Sequence, residues 1–103
     1  MGTWALPNTT EKAKRLQELF AKPIYITKKV KSELYDLYGD DELWDEIGDR
    51  KYEYGTKYDI RFLIASFIDG LLKYYEEKPE CFNVKFDKNA IKILKSIVKE
   101  QGV

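Results

Sequence analysis

One stretch limits what this chain can fold into more than any other: YDIRFLIASFIDGLLKYYEEK at 58–78, the single run apolar enough to be the spine of a core. At about 100° per residue, Ile60, Leu63, Ile64, Phe67, Ile68, Leu71, Tyr74 and Tyr75 share roughly half of a helical circumference. A helix with that much apolar surface touches several neighbours at once. Arg61, Asp69, Lys73, Glu76 and Glu77 gather on the other side, so the segment has a wet face and is not expected to cross a bilayer. Thr56 and Asp59 have the spacing of a capping box and Pro79 ends the run, which predicts a core helix over 57–78.

Two residues depart from the pattern of this helix. Phe62 falls inside the polar arc, where its ring is either covered by a loop or left open to a partner. Gly70, which costs about 1 kcal/mol relative to Ala within a helix, predicts close approach of another backbone.

The remaining elements follow from their punctuation. Asn8 with Glu11 three residues later predicts a first helix over 9–21, with Ala13, Leu16, Leu19 and Phe20 as its apolar stripe and Pro23 beyond its end. Thr27 or Lys28 opens a second, carrying Val30, Leu34, Leu37 and Tyr38 and ended by Gly39 as a left-handed C-cap. Asp40 or Asp41 caps a short third helix bearing Leu43, Trp44 and Ile47, closed by Gly48. The stretch 49–56 reads as a loop or a short extended arm. The run 24–27 is β-prone, and Phe82, Val84 and Phe86 alternate as a half-buried strand would, so 24–27 can pair with 81–86 in a minor two-stranded β element. Asp87 caps a last helix over 88–100, with Ala90, Ile91, Leu94, Ile97 and Val98 inward and Gly102 just past its end. The expected fold is mainly α: one domain over 1–103, a compact bundle of four main helices plus one short helix, with room for that β element.

The absence of His from the sequence removes the commonest general base, the usual zinc ligand and every imidazole-dependent triad together. The one cysteine, Cys81, cannot form an intramolecular disulfide or a CxxC site, and a lone thiol fits a reducing, cytoplasmic compartment. The opening MGTWALPN has neither a basic nor an apolar leader region, so no secretory signal is expected. No glycine-rich phosphate loop is present. These points predict a noncatalytic chain without cofactor or metal.

The formal net charge is zero, with 18 basic and 18 acidic residues, yet the charge is unevenly spread: residues 1–39 carry +3, 40–59 carry −5 and 60–103 carry +2. Six of the ten residues in DDELWDEIGD (40–49) are acidic, without the spacing of a calcium loop. Helix dipoles favour acids at an N-terminus, which accounts for part of the cluster. The sharper expectation is a face made of Asp40, Asp41, Glu42, Trp44, Asp45, Glu46 and Asp49, whose carboxylates meet a basic or mixed protein surface while Trp44 supplies an apolar anchor. On the last helix, Lys88, Lys92, Lys95 and Lys99 fall within roughly 60° of one another and can track a phosphate backbone, or simply be solvated. A helix-turn-helix over 31–50 is excluded because its recognition helix would be acidic. The eight Tyr suit either a binding surface or the rim of a core. The leading expectation is a small noncatalytic protein-binding module, a regulator or inhibitor that occludes a partner protein, of a composition that suits an accessory or immunity-type protein of a phage or plasmid. The alternative is a nucleic-acid-binding accessory protein using the lysine stripe.

Overall fold

The computed structural model describes residues 5–49 and 58–103. Its elements are α1 (Thr10–Leu19), α2 (Lys28–Leu37), α3 (Asp41–Asp49), α4 (Arg61–Glu77) and α5 (Lys88–Glu100), with a 3-10 turn at Pro79–Cys81. The helical bundle expected from the sequence is therefore present. Its radius of gyration is 13.0 Å, the value of a tightly folded chain of about 100 residues.

Two helices, not one, share the central position. From α4 the side chains of Ile64, Ala65, Ile68, Leu71 and Leu72 are buried. From α5, Ala90, Leu94, Ile97 and Val98 turn inward, and this helix packs most extensively on α1 and next on α4. Ala13 on α1 and Ala90 on α5 are both fully buried; small residues facing each other let helix axes come close. Leu34, Leu37 and Tyr38 bring the end of α2 into the same core.

The ends of the helices show where side chains replace missing backbone partners. Thr9, not Asn8, caps α1 by accepting the Lys12 N–H at 3.3 Å, and Thr27 caps α2 by accepting that of Val30 at 3.1 Å. Asn8 is used elsewhere. Its carbonyl accepts the Asp87 N–H at 2.8 Å and its side-chain amide donates to the Lys85 carbonyl at 3.3 Å. Asp87 stands at the N-cap of α5 as expected, but its carboxylate accepts from the Thr10 N–H at 3.1 Å and so serves the start of α1. The two helix starts are thus tied to each other.

The core helix begins at Arg61, four residues later than the expected 57, and Asp59 explains the difference. Its Oδ1 accepts the Ile24 N–H at 3.0 Å and the Arg61 N–H at 3.1 Å, which holds Tyr58 to Ile60 in a non-helical approach. The Arg61 guanidinium grips the same carboxylate at 2.9 Å and donates to the Phe20 carbonyl at 3.2 Å, so the start of α4 is fastened to the end of α1. Thr56, the expected capping partner, lies outside the described residues, as does the stretch 50–57.

Among the described residues there is no β-strand. The backbone of 24–27 turns instead to 59–60, where the Ile60 N–H donates to the Ile24 carbonyl at 2.9 Å. The 81–86 segment is held by side chains: Phe82 and Phe86 pack on Tyr75 with ring centroids 5.1 and 4.7 Å away, and the Tyr75 hydroxyl accepts the Phe86 N–H at 3.2 Å. The backbone of Ile24 and that of Lys85 and Phe86 thus find partners outside the expected ribbon.

Two glycines depart from the roles expected of them, and Gly39 takes the one expected of Gly70. Gly39 is no left-handed cap, since Gly102 alone among the described glycines has positive φ. It is the site of close approach: its N–H donates to the Ala5 carbonyl at 2.8 Å, and an added Cβ would lie 2.8 Å from the Tyr35 carbonyl oxygen. At Gly70 an added Cβ would meet nothing within 4 Å, so no backbone approaches it. Gly48 lies inside α3 and does not close it.

Candidate functional site

The acidic segment divides into structural and open residues. Asp40 is buried, 7% exposed, and forms the cap of α3 by accepting the Glu42 N–H at 2.9 Å. Its other oxygen lies 3.4 Å from the Tyr38 hydroxyl, which also reaches the Phe67 carbonyl of α4 at 3.3 Å. Trp44 is half-buried; its indole N–H donates to the Tyr38 carbonyl at 3.2 Å, and its ring lies against Tyr35 (6.1 Å between centroids) and under the Lys31 ammonium (5.8 Å). The expected apolar anchor is therefore largely consumed in joining α2 to α3. Asp41, Glu42 and Asp45 are exposed, Asp41 lying 3.4 Å from the Tyr35 hydroxyl, and Glu46 is half-buried. The side chain of Asp49 lies outside the described residues.

Burial, then the Asp40 charge and hydrogen bond, then Glu42, push the Tyr38 phenol far above its ordinary pKa. It is a fixed neutral donor, not an acid for catalysis.

Beside the open carboxylates runs a groove of about 1160 Å³. It is lined by Phe67, Gly70 and Leu71 of α4, by the 81–84 segment and by Asp40, Asp41 and Glu42. At Gly70 no side chain projects, and an added Cβ would meet nothing within 4 Å. Phe82 is positioned by Tyr74 and Tyr75, with centroids 5.5 and 5.1 Å away, and Val84 is exposed at the lip. Cys81 also faces the groove. Its hydrogen bond with Tyr74, then its charge, with smaller effects from burial and Glu80, raises the Tyr74 phenol above its ordinary value.

The groove was not legible from the sequence, because its residues come from four separate segments. The available signals were Gly70 at the margin of an apolar arc and Val84, an apolar residue with no obligatory partner. Phe62, on another side of α4, is 58% exposed. All four lysines of the stripe on α5 are exposed, and Lys95 pairs with Glu76 across to α4 at 3.0 Å.

Among the described residues, no group of three or more Cys, Asp or Glu side chains is placed to hold a metal ion, and no helix is long and apolar enough to cross a membrane. No protein-family model, no curated protein and no solved structure matches this chain.

Proposed function

We propose that the chain is a noncatalytic protein-binding module of the cytoplasm, a regulator or inhibitor that acts by occluding a basic or mixed surface of a partner protein. The observation that carries this reading is the exposure of Asp41, Glu42 and Asp45 on α3, with Asp41 and Glu42 also lining the apolar groove. Charged groups around an apolar centre steer association and select partners, while the centre supplies most of the affinity. An accessory protein of a phage or plasmid needs no more apparatus than this. Trp44 has a smaller part than its chemistry suggests, because its N–H is bonded to the Tyr38 carbonyl and its ring already meets Tyr35 and Lys31.

The test is recovery of a partner from the native host by the full chain, followed by binding measurements with Asp41→Asn, Glu42→Gln and Asp45→Asn together. The expected outcome is at least about tenfold weaker binding and a smaller dependence on salt. A recovered partner bound equally well by the folded triple variant, at low and at high salt, removes α3 from the interface.

A further inference from the structure

We propose that the groove along α4 seats the apolar face of a basic amphipathic helix presented by the partner, with that helix's Lys or Arg residues against Asp41 and Glu42. This rests on the protein-binding reading and names the element the site would take. Three features select the occupant. The charged side chains lining the groove are Lys12 against Asp40, Asp41 and Glu42, so its field is net negative. Asp40 is spent on the α3 cap and Tyr38, which leaves Asp41 and Glu42 as the carboxylates that meet a cation. Gly70 and Val84 lie open to solvent, so the groove is an open trough and not a cavity that encloses most of a small ligand.

The form of the occupant follows from the walls. An extended peptide gains affinity by pairing with a strand edge, and the described residues contain no strand to extend. A helix brings its own backbone hydrogen bonds and needs only apolar surface for side chains at i, i+4 and i+7. Phe67, Leu71, Phe82 and Val84 provide that surface, and the gap over Gly70 admits one large side chain close to the axis of α4. That residue is the anchor.

The proposal is tested with random peptides of about 16 residues, roughly four helical turns, displayed on phage and selected on the full chain. Gly70→Trp, whose new side chain points into the gap, serves as counter-selection, and Val84→Asn at the exposed lip, which removes apolar surface without adding charge, is a second variant should Gly70→Trp fold poorly. Selected sequences are expected to carry Leu, Phe or Ile at helical spacing together with Lys or Arg. A representative synthetic peptide should lose at least about tenfold in affinity on Gly70→Trp or Val84→Asn, and about tenfold at low salt on Asp41→Asn with Glu42→Gln. It should also slow alkylation of Cys81, the chain's single thiol. Enrichment of acidic peptides, or of peptides that bind all variants alike, overturns the assignment. So does self-association of the full chain that Gly70→Trp abolishes, which would give the groove to a second copy. A native partner lost on the α3 carboxamide variant but kept by both groove variants sinks the groove and leaves the binding module standing; a partner kept by every variant sinks the α3 reading as well.

Discussion

Tyr38 does at one position what a core of this size needs in several: its ring fills space, its hydroxyl reaches Phe67 on α4 and Asp40 before α3, and its carbonyl receives the Trp44 indole. Tyr38→Phe should keep the ring and remove the hydroxyl, destabilising by about 1–2 kcal/mol in urea denaturation at pH 7. The raised phenol adds a pH signature. Above the ordinary tyrosine pKa of about 10 the unfolded chain releases this proton and the native chain keeps it, so stability falls as pH rises, and Tyr38→Phe should flatten that decline. Equal slopes for the two proteins above pH ~10 would deny Tyr38 this role. Asp59 has the opposite sign. Burial acts to raise its pKa, but the hydrogen bonds from Arg61 and Ile24 and the Arg61 charge outweigh it and hold the carboxyl below its usual range. Its contribution is complete above the unfolded value of about 4 and is lost as pH falls through the lower native value. Asp59→Asn should therefore cost about 1–2 kcal/mol at pH 7, reduced by the partial exposure of the pair, and little at pH ~2. Denaturation midpoints at the two pH values check it.

Helix starts and ends divide into those fixed locally and those fixed by distant chain. Thr27 was readable because its partner, Val30, is three residues away. Asp87 was readable as a position, but not as a contact, because its carboxylate serves Thr10, 77 residues earlier. The β-prone runs had the right residues for strands but not each other: Asp59 and Ile60 bond the backbone of Ile24, and Tyr75 that of Phe86. The two glycines make the same point, since spacing shows that a side chain is missing and not what stands opposite. Their substitutions should differ in sign. Gly70→Ala adds a methyl group into open space and improves helix propensity, raising stability by about 1 kcal/mol and the melting temperature by about 4–8 °C. Gly39→Ala forces a Cβ to 2.8 Å from a backbone oxygen that cannot swing aside, and should lower the melting temperature. Thermal unfolding of the two variants decides it; destabilisation by Gly70→Ala would mean that α4 is approached closely after all.

Across the molecule, opposite charges gather on different helices: exposed acids on α3, two of them lining the groove, and exposed lysines along α5. That separation could be read from the sequence, whereas the groove needed coordinates, since only folding brings Ala5, Tyr38, Gly70 and Val84 to one cleft. The same arrangement weighs against the lysine stripe as a nucleic-acid site. Nonspecific binding scales with the number of phosphates neutralised. Lys95 already faces Glu76 at 3.0 Å, a carboxylate that would also repel an approaching backbone, and the chain as a whole carries no net positive charge to draw a polyanion in. Three remaining lysines release few counterions, so affinity for duplex DNA at physiological salt should be no tighter than the weak end of nonspecific binding, near 10⁻⁴ M. Glu76→Gln would free Lys95 and remove the repulsion, and should strengthen binding at low salt by a few fold, with a salt dependence steeper by about one counterion. A gel-shift titration of both proteins over a salt series measures this; submicromolar binding by the unmodified chain, abolished by Lys92→Glu with Lys95→Glu, would move the function from the groove to α5.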